Sequence, residues 1–191
     1  MSTPSTSVRD AALAKIRRLS RIGLFASTAA FILASGFLGY YFWCLAVGDA
    51  ETVTTLIDEL EIADYVTTLT TAQRWVAGLL WISVNLLGVL MLWYVRMLFA
   101  GFLERGVFTT YSARCLRRVG ILILLLGPVS VLTVLIAGIV ITAWTSGSSA
   151  HGAIAIMDSD VYALVIGLVI TAVSHIMLDA ARLADENDAF V

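Results

Sequence analysis

Residues 103–120 read LERGVFTTYSARCLRRVG. Glu104, Arg105, Arg114, Arg117 and Arg118 crowd this window, while the runs 75–95 and 119–144 on either side contain no Asp, Glu, Lys or Arg. A hydrocarbon core about 30 Å thick needs about 20 helical residues to cross it. Both runs meet that length, so the window is a connection held in water between two membrane spans. Two more runs complete the set: 22–47, without a charge, and 159–180, whose stretch from Val161 to Leu178 is uncharged. Backbone groups in lipid must bond within their own segment, and the runs lack the alternation of a barrel strand, so each is expected to be a helix.

Composition agrees. The chain has 191 residues, of which 60% are hydrophobic and 14% charged; soluble domains average about 25% charged. A chain this short cannot wrap that much apolar surface in a water-soluble core. The run 22–47 is also too long for the apolar part of a signal peptide, which spans about 7–15 residues. The expected architecture is all-α: one integral membrane domain over 1–191, a four-helix bundle with outer loops 48–74 and 145–158 and a cytoplasmic loop 96–118.

Charge gives the orientation. All but Arg74 of the 12 basic residues fall in the N-terminal tail, the 96–118 segment or the C-terminal tail. The positive-inside bias places those segments and both termini in the cytoplasm, in a cell (inner) membrane. Arg105, Arg114, Arg117 and Arg118 are then an orientation device that also meets anionic lipid headgroups or a cytoplasmic partner. Direct nucleic-acid binding is not expected from so short a loop. The outer 48–74 segment is acidic. Its Val53, Leu56, Ile57 and Leu60 keep helical spacing, and Ile62, Tyr65, Val66 and Leu69 repeat it, so one or two amphipathic helices should rest on the outer surface or on the bundle.

Reactive groups are scarce. Cys44 and Cys115 fall at opposite faces, as do His151 and His175, so no disulfide within one chain, metal site or nucleophile–base pair can be assembled. No cofactor motif occurs, and the chain is expected not to be an enzyme. Polar residues inside spans are costly and so informative. Asn85 stands at the centre of the second run. Thr171 and His175 share a face of the fourth with Gly167 and Ser174, and Asp179 follows His175 at i+4, close enough to pair inside the bundle. Ala26, Ala30 and Ala34 form a small-residue stripe suited to helix packing, within the chain or in a homo-oligomer. Gly127-Pro128 should kink the third span.

Two stretches resemble a known family. Gly106-Val107-Phe108-Thr109 followed by Ala113-Arg114-Cys115-Leu116-Arg117-Arg118-Val119-Gly120, and the ending Ala181-Arg182-Leu183-Ala184-Asp185-Glu186-Asn187-Asp188-Ala189-Phe190-Val191, are similar to segments of the bacterial DUF2975 membrane proteins. The resemblance implies a four-span bundle of uncharacterised function. It also implies a small cytoplasmic helix-turn-helix regulator as partner. The functional expectation is a membrane-bound regulatory or accessory protein; the alternative is a small transporter or channel subunit.

Overall fold

The computed structural model describes residues 5–60, 68–104, 106, 109–144 and 157–188, with side chains described from Ala14 to Leu183 within that set. Five helices account for nearly all of them: α1 Ser5–Val47, α2 Ala50–Glu59, α3 Thr71–Glu104, α4 Thr110–Ala143 and α5 Asp158–Asp188. Among the described residues there is no strand. Four of the helices are long and apolar enough to cross a membrane, making this a multi-pass membrane protein of the four-helix class.

Local chemistry sets the helix starts. The Asp49 carboxylate accepts from Thr52 N–H at 3.1 Å and begins α2. Thr70 and Gln73 form a reciprocal box: Gln73 Oε1 accepts from Thr70 N–H at 2.9 Å, and Thr70 Oγ1 accepts from Gln73 N–H at 3.5 Å. Thr109 Oγ1 accepts from Ser112 N–H at 3.2 Å to open α4, and Asp160 reaches back to Met157 N–H at 3.0 Å to open α5. Between α1 and α2 the chain turns at Gly48, whose φ is +81°, and the Arg74 guanidinium lies against it. A side chain there would be strained and would collide with that guanidinium.

The helices outrun their apolar cores. α3 and α4 have 34 residues each, about 51 Å at 1.5 Å per residue, against a hydrocarbon core of about 30 Å. The surplus lies mainly at the arginine-rich end, so the segment expected as a loop over 96–118 is instead two helix ends joined around Gly106, with φ +93°. Hydropathy marks the part of a helix that lipid covers. The helix itself continues past the apolar run, tolerating Gly101, and α3 ends only at Glu104, just before Gly106.

Packing runs in a row. α1 packs on α3, α3 on α4 and α4 on α5, and among the described residues α1 and α5 share no contact, so the described bundle is open. α1 presents Ser20, Leu24, Ser27, Phe31, Ala34, Leu38, Tyr41, Leu45 and Gly48 to its neighbours, all buried or half-buried. The spacing alternates four and three, a heptad seam. The expected stripe of Ala26, Ala30 and Ala34 is not the seam: Ala26 is exposed, because a strict four-residue repeat rotates away from a 3.5-residue seam. Polar side chains in the spans bond back to their own helix, as Thr28 does to the Leu24 carbonyl at 2.7 Å and Ser174 to the Thr171 carbonyl at 2.6 Å, which makes them tolerable in lipid.

The amphipathic helix rests on the bundle rather than on the membrane surface. Leu56, Ile57 and Leu60 of α2 pack with Tyr41 and Leu45 of α1, Ala77 of α3, and Ala137 and Ile141 of α4. α2 therefore fills the groove between α1 and α4 over one face of α3. Of the second stripe, residues 62–66 lie outside the described residues, and Leu69 packs against this cluster.

Candidate functional site

The register of α1 on α3 fixes the depth of every residue near α2. Gly48 faces Arg74, Leu45 faces Gly78, Tyr41 stacks on Trp81 with centroids 4.0 Å apart, and Phe31 meets Trp93 at 5.5 Å. Asn85, the centre of the second apolar run, lies about 21 Å along α3 from Thr71 at 1.5 Å per residue. α2 leaves the Gly48 level at its capped start and ends at Glu59 and Leu60, which line a cavity of about 250 Å³ together with Trp81 and Asn85 of α3 and Ser130 and Thr133 of α4. The helix thus descends beside α1 and carries Glu59 to the depth of the mid-span asparagine. An isolated carboxylate at such depth is costly unless water or a counter-charge reaches it.

The polar groups around this cavity are unevenly engaged. Asn85 Nδ2 donates to the Trp81 carbonyl at 3.0 Å, which fixes the amide. Glu59 is exposed and has no ion-pair partner among the described residues. The Tyr41 hydroxyl is buried behind Trp81 with no hydrogen-bond partner, on a side chain only 6% exposed. Farther out, Gln73 Nε2 donates to the Ile141 carbonyl at 3.2 Å and ties α3 to α4 above the cavity. Among the described residues no three His, Cys, Asp or Glu side chains converge as for a metal ion.

The sequence pointed to Asn85 and missed Glu59. The signal was present in the stripe Val53, Leu56, Ile57 and Leu60, which says that α2 buries one face. It does not say how deep the receiving groove runs, and that depth is what joins Glu59 to Asn85.

The fourth-span candidates divide. Gly167, Thr171, Ser174, Leu178 and Ala181 lie along the face of α5 that meets α4, and the Thr171 hydroxyl is buried there without a hydrogen-bond partner, beside Gly120. His175 and Asp179 are exposed, one step around the helix from that face, and form no ion pair. The expected pairing inside the bundle is therefore not formed: the seam follows Ser174, and a rotation of about 100° per residue carries His175 outward. Replacing His175 by Ala should leave the melting temperature in detergent within about 1 °C of the parent, because an exposed side chain without a partner contributes little. A larger fall would mean that His175 is packed.

At the other end, Arg105 lies outside the described residues. Arg114, Arg117 and Arg118 are all exposed on the first turns of α4. Arg118 stands 5.2 Å from the Tyr94 ring centroid, and Arg96 stands 5.3 Å from that of Trp93 while its Nε donates to Thr28 Oγ1 at 3.2 Å. These two arginines bind the row together. Arg114 and Arg117 have no such contact among the described residues. Cys44 and Cys115 are both buried and free.

No curated protein and no solved structure matches the chain. The family model described as a protein of unknown function (DUF2975) matches residues 59–191, a stretch that begins at the last residue of α2 and takes in Asn85, Ser130 and Thr133. That match covers well over half of the sequence, and the chain belongs to the DUF2975 family.

Proposed function

We infer that this is a membrane-anchored regulatory or accessory protein whose arginine-rich end holds a cytoplasmic partner. The observation that carries the reading is the projection of α3 and α4 beyond their apolar cores, with Arg114 and Arg117 exposed on the projecting turns. An orientation device needs only positive charge near the headgroups. Rigid helical ends bearing arginines that do not serve internal packing offer in addition a preorganised surface for an acidic partner face. The family resemblance favours a small helix-turn-helix regulator as that partner, in a cell membrane with both termini inside. The transporter or channel reading would use the cavity at Asn85. With α1 and α5 apart, one chain encloses no path between its described helices, so that reading needs further subunits.

The test is co-purification of the tagged full chain from its native membrane. The double variant Arg114→Glu, Arg117→Glu should lose its cytoplasmic partner. Arg118 and Arg96, which hold the helices, are left in place, so the fold should persist. Cysteines placed at the exposed Ala50 and Glu104 report orientation in intact cells: the first should react with an impermeant maleimide and the second should not. Retention of the partner by the double variant, or labelling at position 104, would overturn the proposal.

A further inference from the structure

We propose that the cavity at the inner end of α2 is a binding site for a compact organic cation, an ammonium group on a small hydrocarbon body. Among the described residues the one charged side chain lining it is Glu59, whose carboxylate has no ion-pair partner among them. The remaining polar groups are neutral and supply acceptor oxygens: Asn85, with its Nδ2 already engaged by the Trp81 carbonyl, and the hydroxyls of Ser130 and Thr133. Leu60 gives an apolar wall and Trp81 an indole, a combination that suits a cation carrying hydrocarbon.

Other ligand classes fit less well. An anion would meet Glu59 with no basic side chain in the lining to offset it. A bare divalent ion would find a single carboxylate in this lining, and no three His, Cys, Asp or Glu side chains converge among the described residues. The volume of about 250 Å³ lies just below the usual range of ligand sites, about 300 to 1,000 Å³, so the guest is small. Glu59 holds its charge beside mid-span residues without an ion-pair partner among the described residues, and a bound ammonium ion offsets that cost directly.

The experiment is equilibrium binding of choline and of butylammonium to the purified full chain in lipid nanodiscs. At least one should bind saturably at millimolar concentration or below. The neutral alcohol in which carbon replaces the choline nitrogen should bind at least about tenfold more weakly than choline, because it lacks the charge that Glu59 and Trp81 recognise. Glu59→Gln should weaken cation binding at least about tenfold, and Asp58→Asn, one residue outside the lining, should change it less than about twofold. Should Glu59→Gln fail to fold, Asn85→Leu serves as a second variant, with the same branched skeleton and no acceptor oxygen, and should also weaken binding. Absence of saturable binding by both cations, equal binding of the neutral analogue, or equal loss in Asp58→Asn would each overturn the site. Binding is read on the isolated protein, so the result is independent of whether a cytoplasmic partner docks at Arg114 and Arg117.

Discussion

Gly167→Ala should lower the melting temperature of the protein, while Gly36→Ala should raise it. Both replace a mid-helix glycine, and in the absence of neighbours each exchange favours the helix by about 0.5–1 kcal/mol. At Gly36 nothing lies within 4 Å of where the methyl would go, so that gain stands alone. At Gly167 the same methyl would lie 2.6 Å from the Leu124 backbone nitrogen, 2.9 Å from its Cα and 3.0 Å from the Gly120 carbonyl oxygen. Those obstacles are main chain and cannot swing aside, so α4 and α5 must part. Overpacking of this kind costs about 1–3 kcal/mol, which exceeds the propensity gain. The shift should be several degrees, at about 2–4 °C per kcal/mol for a chain of this size. Gly167→Leu should go further and release α5, because among the described residues α4 is the one helix that holds it. A rise in melting temperature for Gly167→Ala would show that the two helices do not approach through this glycine.

The contrast between Gly36 and Gly167 also shows where sequence reading stops. Lipid demands uninterrupted apolar runs, so the four spans and their order could be read from charge and length alone. A glycine inside a span has the same appearance whether it faces lipid or a neighbouring backbone. The face that meets a partner depends on helix pairing, and pairing is decided by contacts between segments far apart in the chain. The same gap explains the fourth-span polar residues. Thr171, Ser174 and His175 occur within one turn and a little more, and a small rotation decides which of them is inside. The helical projections at Arg96–Glu104 and Thr110–Arg118 escaped notice for another reason: hydropathy falls off at the membrane boundary, while helix propensity does not.

The largest expected effect on the candidate site comes from Leu56→Asp, which should expel α2 from its groove. Leu56 is fully buried, with Leu60 at 2% and Ile57 at 5% exposure, among side chains of α1, α3 and α4. In lipid an apolar side chain gains little merely by leaving the hydrocarbon for a protein interior, so what holds α2 is close packing at this cluster. Leu56→Ala removes contacts and leaves a hole, at a cost of about 2–5 kcal/mol by the measure of buried leucines, with the helix still free to settle back. The aspartate is worse, because a carboxylate at position 56 would sit among Tyr41, Leu45, Ala137 and Ile141 with no cation to meet it. The alternative open to α2 is cheap: an amphipathic helix flanked by acidic residues can lie at the interface with its charges in water. The balance therefore favours release, and Glu59 leaves Asn85 with it. A cysteine placed at Ala77, fully buried in the same cluster, reports the event in a protein whose Cys44 is replaced by Ser, with the buried Cys115 near the opposite end as control. Release of α2 alone should make the cysteine at position 77 reactive toward maleimide and leave Cys115 protected. Reaction of both would mean global unfolding, and protection of both would mean that α2 is not seated on these residues.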